Sequence, residues 1–282
     1  MSIAGGVDHA PGRAAAAHCR ALQIFVKNNN RWTGPPITAA QATAFSRNLD
    51  AAGISIDHVF AHTCYLINLA SPKEELAEKS LDALVDELER CGQLGVPGLV
   101  MHPGSHVGTG AEEGMERIAR LCKEAIARTP EVATRILLET TAGTGSNLGA
   151  DFSELQTILD LVADPDRMGV CLDTCHIFAA GHDIRTKDVY TATMQAFADT
   201  VRFDRLFAVH LNDSKHDLGS RKDRHEHIGQ GLIGDEAFRL LLSDKRFSAI
   251  PMALETEKGD DLAEDRMNLE RLHNLVGEAW PA

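Results

Sequence analysis

One pattern constrains this chain more than any other: short apolar runs recur along it, and six consecutive runs each end at a histidine, an aspartate or a glutamate. The six residues are separated by intervals of 34 to 45 positions. Each interval has room for one strand, one helix and their connections. Such a rhythm predicts parallel strands that alternate with helices. The residues are His62, His102, Glu139, Asp173, His210 and Glu255.

The segments between these residues support that prediction. Amphipathic helices are predicted over residues 73–93 and 112–128, where apolar side chains recur every three or four positions. Asp151 is predicted to cap a third helix, with Glu154 completing a capping box. Seven strands are predicted, at residues 22–26, 56–61, 99–101, 135–138, 169–172, 206–209 and 250–254.

These elements predict an α/β protein with the (β/α)₈ TIM-barrel fold, formed by a single domain over residues 1–282. An eight-stranded barrel needs one strand more than the seven found. The chain opens at Gly5-Gly6 without a preceding apolar run, so the first strand is expected to be missing or truncated at the N-terminus. A start site assigned too late, or a trimmed chain, would leave a gap between the second and eighth barrel strands.

Composition restricts the class of protein further. Of the 282 residues, 44% are hydrophobic and 24% are charged, which is typical of a globular protein, and no apolar run approaches a membrane span. Nothing marks export, so a cytoplasmic location without a membrane partner is expected. The net charge of −13 argues against a broad basic nucleic-acid surface but not against a local one. The six cysteines form no C-x-x-C pair and predict buried thiols.

The carboxyl ends of barrel strands converge on one mouth, where the active sites of this fold lie. A single histidine or carboxylate there is usually structural, but six in register are hard to explain in that way. His176, Asp223 and His225 extend the set to five imidazoles and four carboxylates. Burying so many carboxylates together is costly without cations. The nine donors suit about three zinc-like ions, and such a cluster favours phosphoryl chemistry.

At this level of detail the chain resembles endonuclease IV, the zinc-dependent apurinic/apyrimidinic endonuclease family. The resemblance covers nearly the whole chain in order. It rests on His62-Thr-Cys-Tyr-Leu-Ile-Asn-Leu69, His102-Pro-Gly-Ser-His106, Leu138-Glu-Thr-Thr-Ala-Gly143, Cys171-Leu-Asp-Thr-Cys-His176, His210-Leu-Asn-Asp-Ser-Lys215, Asp223-Arg-His225 with Ile228-Gly229 and Gly231, and Leu254-Glu-Thr256.

The resemblance implies three zinc ions per chain and a reaction. It implies hydrolysis of the DNA phosphodiester on the 5′ side of an abasic site, and removal of blocking groups from damaged 3′ ends, by a metal-bound hydroxide. Glu139 would bridge two ions and Glu255 would orient the nucleophile. The three ligand sets implied are His62, His102 and Glu139; Glu139, Asp173, His210 and Glu255; and His176, Asp223 and His225.

The resemblance also implies how double-stranded DNA is bound, by a monomer. Tyr65 and Leu66 match residues that enter the base stack, although core packing is the alternative explanation for both. Relatives carry a wedge arginine where this chain has Asn30, and the adjacent Arg31 is a candidate substitute. Positive charge is concentrated beside the third ligand set, at Lys215, Arg221, Lys222 and Arg224, and predicts a phosphate-contact surface.

Two other functions compete with this interpretation. A sugar isomerase or epimerase of the same barrel superfamily would also place histidines and carboxylates at strand ends. It would use one or two metal ions, which leaves His176, Asp223 and His225 unexplained. A non-catalytic damage- or metal-binding protein is the second alternative, but the complete set of nine donors gives it no support.

Overall fold

Seven parallel strands form one sheet that curves into a nearly closed barrel. The computed structural model describes residues 1–278, so residues 279–282 of the expected domain lie outside it. The strand bounds are Leu22–Phe25 (β1), Val59–His62 (β2), Gly98–Met101 (β3), Arg135–Glu139 (β4), Met168–Asp173 (β5), Leu206–His210 (β6) and Met252–Ala253 (β9), while Asp213–Ser214 (β7) and His225–Glu226 (β8) form a separate hairpin. Strands of the sheet follow the order of the chain from β1 to β6, and β9 is the last member.

Helices follow most strands and cover the outside of the barrel. The capping box predicted at Asp151 and Glu154 is confirmed, because both of its reciprocal hydrogen bonds are present. The nine helices in the described part of the chain are Ala10–Ala16 (α1), Ala39–Ala52 (α2), Glu74–Leu94 (α3), Ala111–Arg128 (α4), Phe152–Val162 (α5), Thr174–Ala180 (α6), Lys187–Thr200 (α7), Asp235–Ser243 (α8) and Ala263–Leu275 (α9). The α/β barrel predicted from the sequence is therefore confirmed.

The two-residue period of a strand connects the core to the barrel mouth. A small apolar cluster, separate from the main core between sheet and helices, contains Phe60, Val100, Leu137, Cys171 and Ala208. Each of these residues precedes one of the predicted metal donors by two positions. Side chains two apart point to the same face of a strand. The donors are therefore the next layer of the barrel interior, above a floor of apolar side chains.

The barrel has one seam, between β1 and β9. Each of these strands pairs on one side only within residues 1–278, β1 with β2 and β9 with β6. The segment before β1 contains a 3₁₀ turn, Val7–His9, and α1, but no strand. A cleft of about 560 Å³ lies along the seam, lined by residues that include Met1, Leu22 and Leu254. The amino group of Met1 donates a hydrogen bond to the carbonyl oxygen of Gln23.

Some details differ from the sequence prediction. The run at residues 56–61 begins as a 3₁₀ turn, Ile56–His58, so β2 starts only at Val59. The Ser55 side chain accepts a hydrogen bond from the Asp57 amide and thereby caps that turn. Five cysteines are buried as expected, but Cys19 is half-buried, and all six are free thiols. None of the helices in residues 1–278 combines the length and the apolar character needed to cross a membrane.

Candidate metal centre

The nine predicted donors lie together at the barrel mouth. Five of them end or directly follow strands of the sheet, and Glu255 lies two residues after β9. His176 lies in the first turn of α6, and Asp223 and His225 reach the mouth from the β7–β8 hairpin. Within residues 1–278, donor atoms closer than 4.8 Å to one another define sets that include His62, His102 and Glu139; Glu139, Asp173, His210 and Glu255; and His176, Asp223 and His225. These three sets have the same members as those implied by the sequence resemblance.

Glu139 joins the first two sets through its two carboxylate oxygens. Its Oε2 atom lies 3.1 Å from His62 Nε2 and 3.2 Å from His102 Nε2. Its Oε1 atom lies 2.9 Å from His210 Nδ1 and 3.2 Å from His176 Nδ1. The side chain is completely buried. One carboxylate thus contacts His62 and His102 through one oxygen and His210 through the other, as a bridging ligand would.

The second set is completed from neighbouring strands of the same sheet. Glu255 Oε2 lies 3.2 Å from His210 Nδ1, and Asp173 Oδ2 lies 3.7 Å from the same nitrogen. Asp173 also caps α6, because its Oδ1 atom accepts a hydrogen bond of 2.8 Å from the His176 amide. The end of β5 therefore both starts this helix and orients a donor towards the mouth.

The third set contains two buried nitrogen atoms without a hydrogen-bond partner. They are His176 Nε2 and His225 Nε2. Asp223 Oδ1 lies 3.2 Å from the first and 3.4 Å from the second. A buried polar atom left unpaired is costly in free energy. The two nitrogens are therefore arranged as donors that a bound metal ion would satisfy.

The spacing of the donors matches that of ligands around one small cation. Four ligands placed tetrahedrally at zinc bond lengths lie about 3.3 Å apart. The shortest separations within the three sets are 3.1 Å (His62 to Glu139), 2.9 Å (His210 to Glu139) and 3.2 Å (His176 to Asp223). The nitrogen and oxygen donors are also the types that Zn²⁺ accepts. The residues present therefore fit zinc.

Most of the histidines are anchored through the ring nitrogen that faces away from the donor set. His62 Nδ1 donates to Thr63 O at 2.8 Å, and His176 Nδ1 donates to Thr140 O at 2.8 Å. His225 Nδ1 donates to the carbonyl oxygen of Glu255 at 3.2 Å. Such bonds fix the tautomer that leaves Nε2 free to bind a metal ion. They orient the donors before any ion is bound.

The electrostatics of the site reflect the close packing of four carboxylates and five imidazoles. Burial alone would raise the pKa of Glu139, but His210 and His102 hold it well below the ordinary value. Burial would likewise lower the pKa of His176, but the carboxylates around it, Asp173 first, raise that pKa well above the ordinary value. The carboxylates and imidazoles at the mouth therefore stabilise each other's charged forms.

Two site residues escape a search based on metal donors. Gln23, on β1, donates from Nε2 to Glu255 Oε1 at 2.7 Å, and its Oε1 lies 2.5 Å from His210 Nε2. Asn212 donates to Asp173 Oδ2 at 2.6 Å and accepts a hydrogen bond of 2.8 Å from the Glu255 amide. Both amides hold metal donors in place, and Gln23 does so across the seam. The only sequence signal for Gln23 was a polar residue inside an apolar run.

The loops predicted to contact DNA border the mouth. Tyr65 is 56% exposed, and its amide donates to Asn29 O at 3.0 Å, which joins the loop after β2 to the loop after β1. The side chains of Asn30 and Arg31 are exposed on the latter loop. Leu66 is half-buried and packs against the main core. Its alternative explanation as a packing residue therefore has support, whereas Tyr65 is free to touch a ligand.

A basic surface lies beside the third donor set. Lys215 and Arg224 are exposed and pair across the β7–β8 hairpin, where the Lys215 amide donates to Arg224 O at 3.0 Å. Arg221 and Lys222 are also exposed. The hairpin that carries Asp223 and His225 thus presents four cations to solvent.

Comparisons with known proteins agree with this geometry. A family model described as a xylose isomerase-like TIM barrel matches residues 12–272. A probable endonuclease 4 from Chloroflexus aggregans is 51% identical over 276 residues, covering 98% of this chain and 96% of the relative. A probable endonuclease 4 from Geobacter sulfurreducens is 48% identical over 276 residues, covering 98% of this chain and 93% of the relative.

Solved structures give the same picture. The crystal structure of endonuclease IV from Thermus thermophilus superposes with a TM-score of 0.86 at 37% identity, covering 99% of this chain and 98% of that chain. A D-tagatose 3-epimerase-like protein superposes with a TM-score of 0.70 at 16% identity, covering 92% of this chain and 90% of that chain. The second likeness shows a shared fold only.

Proposed function

Because this chain belongs to the endonuclease IV family, we propose that it is a DNA-repair endonuclease. Its reaction is hydrolysis of the phosphodiester on the 5′ side of abasic sites, with removal of blocking groups from damaged 3′ ends. One observation supports the proposal beyond the family: the donor set at the mouth has nine members, with Glu139 shared between two sets, and is larger than one or two ions require.

Three zinc ions are the cofactor in this proposal. The first would be held by His62, His102 and Glu139, and the third by His176, Asp223 and His225. The second would be held by Glu139, Asp173, His210 and Glu255. Zinc bound there supplies the Lewis acidity that activates water at neutral pH and stabilises a leaving oxygen.

Glu255 has the role of orienting the attacking water. Its carboxylate is the one donor of the second set that reaches the open side of the mouth, with a side chain 16% exposed. The hydrogen bond from Gln23 and the contact with His210 fix both of its oxygens. A carboxylate held in this way is already oriented before the reaction, so little free energy is needed to reorganise it during the reaction. Glu139, which is completely buried, has the different role of holding two donor groups together.

The loops provide DNA binding. Tyr65, supported by Leu66, enters the base stack, and Asn30 with Arg31 reaches the same position from the neighbouring loop. Lys215 and Arg224 contact phosphates of the double-stranded substrate. A monomeric state and a cytoplasmic location complete the proposal.

A sugar isomerase or epimerase is the alternative within the same fold. Such an enzyme would use one or two exchangeable ions and would have no need for His176, Asp223 and His225 in a third set. The four exposed cations beside that set also suit a polyanion better than a neutral sugar.

The test is cleavage of a fluorescent duplex with one central tetrahydrofuran residue, an abasic-site analogue, without added magnesium. The unmodified protein should nick it on the 5′ side and leave a 3′ hydroxyl. Glu255→Gln should lower kcat by about 10³-fold or more while the duplex still binds. Glu226→Gln is the matched control, since Glu226 lies beside His225 but belongs to none of the three donor sets. Absence of nicking by the zinc-loaded protein would reject the proposal.

A further inference from the structure

A second, largely buried cluster of charges lies outside the metal centre. It connects α3 to the start of the loop that follows β1, called the β1 loop below. Lys27 lies two residues after the end of β1, and its side chain is 1% exposed. Its Nζ atom lies 2.9 Å from Asp86 Oδ2 and 3.0 Å from Glu87 Oε1. Neither the metal donors nor the exposed loop residues explain a lysine buried at this depth. We name Lys27, Asp86, Glu87 and Arg90 the loop network.

The network connects α3 to both loops at the barrel mouth. The carboxylate of Glu87 accepts hydrogen bonds of 3.1 and 3.2 Å from the Cys64 amide, one residue before Tyr65. Arg90 donates from Nε to Asp86 at 2.9 Å. The two adjacent carboxylates on α3 thereby hold Lys27 and Cys64, one residue from each loop.

The same arginine fixes the far end of the β1 loop. Arg90 Nη1 donates to Pro35 O at 2.7 Å, and Nη2 donates to Gly34 O at 3.1 Å. Gly34 packs closely on the start of the loop, because a Cβ atom there would lie 3.0 Å from Lys27 Cβ. Both ends of the segment that carries Asn30 and Arg31 are therefore tied to one helix, while its middle is exposed.

Stability alone does not account for this arrangement. Replacing a buried ion pair with apolar side chains of similar volume is often neutral or stabilising, because taking charges out of water is costly. Burial raises the pKa of Glu87 even though Lys27 lies beside it. Burial thus disfavours the charge of the Glu87 carboxylate. In that position the carboxylate contacts Lys27 on one loop and accepts hydrogen bonds from the Cys64 amide on the other.

We propose that the loop network is a positioning device for DNA recognition: Lys27, Asp86, Glu87 and Arg90 fix the two loops so that Asn30, Arg31 and Tyr65 enter a duplex together. The inference rests on the proposed function. Ordering a flexible loop at the moment of binding costs conformational entropy, and a loop ordered in advance avoids that cost. These are positioning residues, because none of them faces the donor sets.

The test compares two double variants of the zinc-loaded protein. Lys27→Met/Glu87→Met removes the charge pair and the acceptor for the Cys64 amide. Lys27→Met/Glu87→Gln removes the same charges but keeps an amide oxygen that can accept from Cys64. Any difference between them reports the hydrogen bond to the loop and not the buried charge. Asp82→Asn/Arg128→Met is the control, because that pair is exposed and joins α3 to α4.

For the Met/Met variant, KM on the abasic duplex should rise about tenfold, the effect of one lost hydrogen bond to a charged group, with kcat within about twofold. Hydrogen exchange at the Cys64 and Tyr65 amides should become faster. The Met/Gln variant should recover KM to within about threefold of the unmodified protein. The control pair should change neither quantity.

Three results would overturn the inference. The first is an unchanged KM in the Met/Met variant, and the second is an equal rise of KM in both double variants. The third is loss of zinc and of kcat in the Met/Met variant, since the network would then support the whole fold. If the unmodified protein does not nick abasic DNA, the proposed function fails. In that case hydrogen exchange at the Cys64 and Tyr65 amides still tests whether the loop network orders the loops. Unchanged exchange in the Met/Met variant would reject the ordering as well.

Discussion

The metal centre and the loop network are both largely buried clusters of ionisable groups, but their groups are paired in different ways. The loop network contains two carboxylates and two permanent cations, and each charged group has a partner. The metal centre contains four carboxylates and five histidines. Two of its buried nitrogens have no hydrogen-bond partner. The comparison teaches that unpaired donor nitrogens among buried carboxylates distinguish a candidate metal site from a cluster whose charges are already paired within the protein.

The difference has consequences for how each cluster responds to change. In the metal centre, Glu139 raises the pKa of His62 although burial alone would lower it. Removing a donor therefore alters the charge that the site can hold. Removing a member of the loop network instead breaks a connection between elements. The predictions below separate these two kinds of effect.

The largest effect is expected for Glu139→Gln. A neutral amide bridges two cations poorly, so both the first and second donor sets should lose affinity for metal. We expect kcat on the abasic duplex to fall by about 10⁴-fold, with a lower zinc content. Activity assays and metal analysis of the same sample check this. A variant with full zinc content and normal activity would show that the bridge has no functional role.

A smaller effect is expected for Gln23→Met, which removes the amide that spans the seam. Glu255 and His210 would each lose a hydrogen bond, while every metal donor remains. We expect kcat to fall by about tenfold through poorer orientation of Glu255, with unchanged zinc content. Kinetics with zinc analysis distinguish orientation from binding. A loss of zinc as large as that in Glu139→Gln would contradict the assignment of Gln23 as a supporting residue.

The seam itself offers a third test. Adding about seven residues of high β-propensity before Met1 should let an extra strand pair with β1 and β9 and cover their edges. We expect the melting temperature to rise by about 5 °C, measured by differential scanning calorimetry. A scrambled extension rich in glycine and serine is the control. Equal melting temperatures for both extensions would mean that the cleft along the seam does not accept a strand.

The smallest effect concerns the loop network and its dependence on pH. Burial would raise the pKa of Asp86, but Arg90 and Lys27 lower it below the ordinary value. A lowered carboxyl pKa contributes stability above the unfolded pKa, and this contribution is lost as the pH falls through the folded pKa. Asp86→Asn should therefore cost about 1 kcal/mol at pH 7, a value limited by the partial exposure of the side chain.

The cost of Asp86→Asn should shrink as the pH falls below the ordinary aspartate pKa of about 3.9, because Asp86 in the folded protein then becomes protonated and both proteins carry a neutral side chain. Denaturant unfolding at each pH, with a chelator present throughout, removes any contribution from metal release. A cost that stays constant down to about pH 2 would show that packing, and not charge, explains the effect of the substitution.

The barrel and the donor sets were predictable because both follow from simple periods. Strand and helix alternate at near-constant intervals, and a donor such as His62 or Asp173 follows an inward-facing apolar residue by two positions. The capping box at Asp151 depends only on residues three apart, so it was predictable as well. The exact ends of the strands were less predictable from the sequence. The 3₁₀ turn at Ile56–His58 depends on a hydrogen bond from Asp57 to Ser55 that apolar patterns do not encode.

The residues that the sequence did not reveal act through contacts between distant positions. Gln23 contacts a carboxylate 232 residues away. Asp213 has the chemistry of a metal donor, but its buried carboxylate accepts hydrogen bonds from backbone amides that include those of Gly229, Gly231 and Ile233. Glu87 lies on the buried side of α3, where only apolar residues define the predicted stripe. Patterns within one segment carry no signal for such partners.

The central claim is that the mouth holds three zinc ions through its nine donors. The direct test is the metal content of active protein, purified without chelator and dialysed into metal-free buffer, by mass spectrometry with a parallel measurement of protein concentration. The account predicts about three zinc ions per chain and nicking without added magnesium. Fewer than two tightly bound zinc ions per chain in fully active protein would contradict it.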